Sequence, residues 1–289
     1  MGLDDKSKGE IIFSRGDLVF DTIFVGTQSE APEFLWIDAN GSNTSRSINL
    51  DGDENGILVW DQGDAQNCFH SGNDKFRSED YGGAIIDYTQ AIAISPDYAD
   101  AYLSRGVAKN YLGDHQGAII DYTVAEAFDP HCGDIYNNPY FRRGVSQESL
   151  GNHQEAVADY TKAIELNPNY ATAYEYRGDA QEYLGNYQDA IADYTQSIEI
   201  NPNHSFAYSK RGDAKYELKD YEGAISDYTE AIRINPKFDD ALYNRGVMKH
   251  HLSDYQGAIA DYTKALQINP MYSNAYYNRA ICRVRLGDK

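Results

Sequence analysis

The chain has 289 residues, with 45 acidic against 25 basic side chains and a formal charge of −20. Its 42% hydrophobic and 24% charged content is that of a foldable chain, not a disordered one. Such an acidic excess argues against nucleic acid, whose phosphates need clustered Lys and Arg, and disfavours an anionic membrane surface.

In chain order, the start Met1-Gly2-Leu3-Asp4-Asp5-Lys6 has no cationic stretch leading into an apolar core, so no signal peptide is expected. Lys6 stands where a myristoylation motif wants Ser or Thr. No apolar run approaches membrane-spanning length. Cys68, Cys132 and Cys282 are odd in number and scattered, which fits reduced thiols and a cytoplasmic location.

Residues 1 to 64 read as a small β-rich segment packed against the first helix pair. The runs are Glu10–Ser14, Asp17–Val25, Glu33–Asp38, Ser47–Leu50 and Ile57–Trp60, with turn chemistry such as Asn40-Gly41-Ser42-Asn43 between them. Arg15-Gly16-Asp17 reads as a turn. Asp51, Asp53 and Asn55, followed by Gly56, match the opening of a calcium loop, although Gln62 stands where a bidentate Glu is required. A plain acidic turn explains the same residues, so no cofactor is expected, with calcium as the alternative.

From residue 65 to 289 a repeat takes over. Pro96, Pro130, Pro168, Pro202, Pro236 and Pro270 are spaced 34, 38, 34, 34 and 34 residues apart, and Arg105, Arg143, Arg177, Arg211, Arg245 and Arg279 keep a 34-residue period with the same four-residue insertion. In the unit 171–202, Tyr174, Arg177, Gly178, Gln181 and Leu184 recur at helical spacing. Gly185 ends that helix and Asn186 caps the next, on which Tyr187, Ala190, Ile191, Tyr194 and Ile198 share a face. Asn201-Pro202 stops it. Asp80, Asp114, Asn152, Asn186, Asp220, Asp254 and Asp288 occupy the cap column. Gly106, Gly144, Gly178, Gly212 and Gly246 face Ala118, Ala156, Ala190, Ala224 and Ala258, small residues where two helices approach closely. Tyr88, Tyr122, Tyr160, Tyr194, Tyr228 and Tyr262 are expected in the core. Neither helix buries its stripe alone; stacked hairpins do.

Gly178, Leu184-Gly185, Tyr187, Ala190, Tyr194 and Pro202 sit at the signature offsets of the tetratricopeptide repeat, and residues 65 to 289 resemble that family. The resemblance implies a mainly α fold, a right-handed α-solenoid of tandem helix-turn-helix hairpins: six helix pairs and a seventh first helix. The Arg177 column, with Asp193-Tyr194-Thr195 in the second helix, departs from the usual aliphatic residue. Arg occupies units two to seven and Asp units one to six, so pairing each Asp with the next unit's Arg leaves no orphan. The expected pairs are Asp87–Arg105, Asp121–Arg143, Asp159–Arg177, Asp193–Arg211, Asp227–Arg245 and Asp261–Arg279.

The resemblance further implies a concave groove lined by first helices that takes a peptide. Its residues would be Phe69, Asn73, Phe141, Glu175, Tyr176, Asp179, Glu182, Tyr183, Asp213, Tyr216 and Tyr243, apolar at the ends and acidic in the middle. The basic clamp of chaperone-docking members is missing. Neither a nucleophile elbow nor a phosphate-cradling Gly loop is seen, and His131-Cys132 and His250-His251 lack zinc spacing. The expected function is a non-catalytic protein–protein scaffold gripping a basic or amphipathic segment, without nucleic acid or membrane. The face of the last helix, with Tyr276, Ile281, Val284 and Leu286, is an expected edge for self-association.

Overall fold

The computed structural model describes residues 33–37, 43–47, 62–133 and 138–287. The chain divides into two compact units, 1–63 and 64–289. In the first, β1 (Glu33–Ile37) pairs antiparallel with β2 (Asn43–Ser47), Leu35 opposite Ser45. β1 falls on an expected run. β2 begins where a turn was expected and ends as the run 47–50 begins, so this one hairpin does not establish the β-rich segment. The other runs, and the loop of Asp51, Asp53 and Asn55, lie outside the described residues.

The second unit is helical throughout its described residues. Its first helices are α1 (Gln62–Arg77), α3 (Ala99–Tyr111), α5 (Pro139–Ser149), α7 (Ala171–Tyr183), α9 (Ser205–Glu217), α11 (Asp239–His251) and α13 (Ser273–Leu286). The second helices between them are α2 (Tyr81–Ile94), α4 (His115–Phe128), α6 (His153–Leu166), α8 (Tyr187–Ile200), α10 (Tyr221–Ile234) and α12 (Tyr255–Ile268). Each helix packs on the next. First helices of successive hairpins also touch, as α3 does α5 and α11 does α13, which puts them on the tighter, inner side of the stack.

The core follows the small-residue columns. Tyr88, Tyr122, Tyr160, Tyr194, Tyr228 and Tyr262 are buried, each ring lying across the glycine of its own hairpin. A Cβ on Gly178 would stand 2.7 Å from the Tyr194 ring, closer than packed carbons tolerate.

The caps divide into two kinds. Asp80, Asp114, Asp220 and Asp254 each accept the backbone N–H three residues on, from Gly83, Gly117, Gly223 and Gly257. A Cβ on those glycines would come within about 2.2 Å of the capping carboxylate. Asn152 and Asn186 are followed at that place by Glu155 and Asp189, and their side chains make no cap bond. They donate instead to the Gln147 and Gln181 side chains at 2.8 Å. The expected Asn186 cap is thus a backbone position without side-chain capping.

The hairpin turns need one left-handed residue each. Gly113, Gly151 and Gly185 supply it in three hairpins, whereas Glu79, Lys219 and Ser253 adopt φ of 63° in three others.

The Arg–Asp column corrects the expected pairing. Arg105 binds Asp121, Arg143 binds Asp159, Arg177 binds Asp193, Arg211 binds Asp227 and Arg245 binds Asp261, all within one hairpin and at N–O distances of 2.6–2.7 Å. The remaining guanidinium nitrogen crosses to the preceding hairpin, where it donates to Thr89, Thr123, Thr161, Thr195 and Thr229 at 3.0–3.1 Å. Counting orphans failed because the orphans find other partners. Asp87 takes the Ser71 hydroxyl and the Lys75 ammonium, and Arg279 donates to Thr263 and lies over the Tyr276 ring.

Candidate functional site: the inner wall of the first helices

Three columns of the first helices converge on the inner wall between α7, α9 and α11. They bound a cavity of about 570 Å3 lined by Glu182, Asp213, Glu217 and Lys210, by Tyr183, Tyr187, Tyr216 and Tyr243, and by Val247 and Met248. Lys210 is its one lysine or arginine, facing three carboxylates.

Buried tyrosines of the second helices anchor the carboxylates. Tyr194 donates to Asp179 at 2.6 Å and to Glu182 at 3.0 Å, Tyr228 donates to Asp213 at 2.7 Å, and Tyr160 donates to Glu148 at 2.8 Å. The tyrosine column is therefore more than apolar filling: its hydroxyls reach through to the wall and fix acid side chains there. Lys210 reaches back to Asp179 at 3.0 Å, and Asn244 at the same place one unit later reaches back to Asp213 at 3.1 Å.

Crowding acids into a half-buried wall disfavours their charge. Burial pushes Glu182 up to about 7; Asp179 and Asp213 act in the same direction, against the Tyr194 hydroxyl and Lys210. Burial likewise raises Glu148 and Asp213. For Lys210, burial opposes the charged form, but Asp179 outweighs it and the net shift is upward.

Glu182, Tyr183, Asp213, Tyr216 and Tyr243 of the expected groove meet at this cavity. Tyr183 is exposed and stacks on His153. Asp179 sits beside the cavity in the Tyr194–Lys210 network. Glu175 is turned into the joint, where it accepts from Ser197 and contacts His204 Nδ1 at 2.7 Å. Phe141 corrects its assignment: it is buried against Tyr160, Tyr170 and Tyr176 and belongs to the core. Tyr176 is half exposed at the edge of that cluster. Phe69 packs on Tyr88 and Tyr98, and Asn73 accepts the Tyr88 hydroxyl, several hairpins from the cavity.

Lys210, Asn244 and Glu217 were missed as site residues. Their signal was available: Lys210 and Asn244 lie two residues before the invariant-spaced glycine, one helical turn from the Asp179 and Asp213 column. On α13, Tyr277 and Val284 are 70% and 72% exposed. Among the described residues there is no metal-competent cluster of His, Cys, Asp or Glu, and no helix is long and apolar enough to cross a membrane.

The helical pairs, their 34-residue period and the Gly–Tyr packing define a solenoid of the tetratricopeptide class. Sequence profiles agree: one described as "Tetratricopeptide repeat" matches residues 138–170, 171–204 and 239–272, and one described as "TPR repeat" matches 72–110 and 212–252. The chain belongs to the tetratricopeptide repeat family. No curated protein matches it. Among solved structures, a tetratricopeptide repeat protein from Parabacteroides merdae is 20% identical with a TM-score of 0.61, over 78% of this chain and 88% of that one. YrrB, described as a TPR protein with an unusual peptide-binding site, is 20% identical with a TM-score of 0.59, over 67% and 97%. MamA is 24% identical with a TM-score of 0.55, over 60% and 92%. At these identities the likeness is one of fold.

Proposed function

We propose that this protein is a non-catalytic interaction scaffold whose inner wall grips a basic or amphipathic segment of a protein partner. The observation that carries this reading is the cavity between α7, α9 and α11, where Glu182, Asp213 and Glu217 face a single lysine and four tyrosines flank them. Tyrosine gives contact area at low entropic cost, and fixed carboxylates select the sign of the partner. Anchoring by Tyr194 and Tyr228 preorganises those carboxylates, so less ordering remains to be done on binding. YrrB, with its peptide-binding site on the same fold, supports a segment as the type of ligand.

Asp179 and Asp213 hold buried hydroxyls, so replacing them perturbs the core as well as the wall. Glu182→Gln with Glu217→Gln removes charge with little change of shape. Binding of a blocked peptide of alternating Lys and Leu, measured by calorimetry, should weaken about ten-fold in the double variant and fall with added salt in the wild type. Unchanged affinity in a variant with native helicity would refute the reading.

A further inference from the structure

The joint between α3–α4 and α5 repeats the polar pattern of the inner wall with one group changed. At the next joints but one, a buried tyrosine hydroxyl and a residue two places before the glycine share one carboxylate. Tyr194 and Lys210 share Asp179, and Tyr228 and Asn244 share Asp213. The corresponding trio here is Tyr122, Arg142 and Val107. Valine stands in the carboxylate's place.

Tyr122 registers the change. It is fully buried, and among the described residues no protein group takes up its hydroxyl. The other acceptors nearby are committed: Asn110 Oδ1 accepts from Ser146 at 3.2 Å and contacts His115. Ser146 also donates to the Arg142 carbonyl at 3.3 Å. Burial raises the Tyr122 pKa, with the Arg142 charge beside it acting the other way; the hydroxyl is thus a donor at every physiological pH. A buried donor without an acceptor carries a penalty of about 1–3 kcal/mol, which a ligand that accepts from it would relieve.

We propose that this joint is a second subsite of the groove, and that it takes an acidic side chain of the partner segment between the Tyr122 hydroxyl and the Arg142 guanidinium. The two donors call for an acceptor of negative charge, and a carboxylate in that position reproduces the arrangement that Asp179 and Asp213 make internally. Arg142 and Val107 are half-buried on the same columns that line the cavity further along, so a carboxylate approaches along the inner wall and draws the Arg142 side chain with it. The segment would then be dipolar, its acidic residue at α3–α5 and its basic residue at α7–α11. This rests on the groove reading above.

Two measurements test it. A blocked alanine–lysine peptide carrying one glutamate should bind the wild type about ten-fold more tightly than its glutamine twin, and Tyr122→Phe, which keeps the packing, should reduce that preference to less than about three-fold. Equal binding of the two peptides to the wild type overturns the subsite and leaves the basic pocket standing; binding of neither overturns both. Independently of any peptide, Val107→Asp should supply the carboxylate internally. It should raise the melting temperature by a few degrees in the wild-type background and by much less beside Tyr122→Phe. A Val107→Asp variant that melts no higher than wild type, or gains equally in both backgrounds, overturns the inference.

Discussion

The within-hairpin Arg–Asp pairs can be tested against the cross-hairpin alternative by double-mutant cycles at Arg211. Its Nε and Nη2 bond the two Asp227 oxygens at 2.9 and 2.6 Å, and the side chains are only 17% and 4% exposed. A bidentate charged pair at that burial should couple by about 2 kcal/mol, since hydrogen bonds to charged groups contribute about 1.5–3 kcal/mol. Removing Asp227 alone should cost about 3–5 kcal/mol, because it strands Arg211 and also Lys215, which holds the same carboxylate at 2.7 Å. Arg211 meets the preceding hairpin through Thr195, not Asp193, so the Asp193–Arg211 coupling should stay below about 0.5 kcal/mol. Urea unfolding followed by far-ultraviolet circular dichroism would supply both cycles from Arg211→Met, Asp227→Asn, Asp193→Asn and the two doubles. Coupling above about 1.5 kcal/mol for Asp193 with Arg211, and near zero for Asp227 with Arg211, would refute the pairing.

Lys219 adopts φ of 63° where Gly113, Gly151 and Gly185 stand in other hairpins. Left-handed backbone costs a non-glycine residue about 1–2 kcal/mol and glycine's extra chain entropy offsets part of the relief, so Lys219→Gly should stabilise by about 0.5–1 kcal/mol; a lower urea midpoint would contradict this. Glu182 gives a pH signature. Its folded pKa is raised to about 7 from 4.5, so the fold favours the protonated form. Its contribution to stability is fully present below about pH 4.5 and is lost as pH rises towards 7. The melting temperature of wild type relative to Glu182→Gln should therefore fall across that window; a flat difference would mean that Glu182 titrates as a free carboxyl. A cationic peptide favours the ionised form, so its affinity should rise over the same range.

The sequence by itself determined the solenoid. Proline stops, the Gly and Ala columns and a 34-residue period leave one way to bury both helical stripes, and each constraint lies within one hairpin or between neighbours. It also placed Glu182, Asp213, Tyr216 and Tyr243 on the wall, because helical spacing assigns a face without knowing the partner. What a side chain on that face reaches was decided only by the tertiary structure. Arg177 lies 16 residues from both Asp193 and Thr161, one in its own hairpin and one in the preceding hairpin, and periodicity treats the two alike. Only the packing distance across the hairpin made the first an ion pair and the second a neutral bond. The same holds for the tyrosines. Their spacing marks a buried column, but whether a hydroxyl meets Asp179, Glu148 or, at Tyr122, no acceptor depends on how far each ring reaches past its glycine into the inner wall.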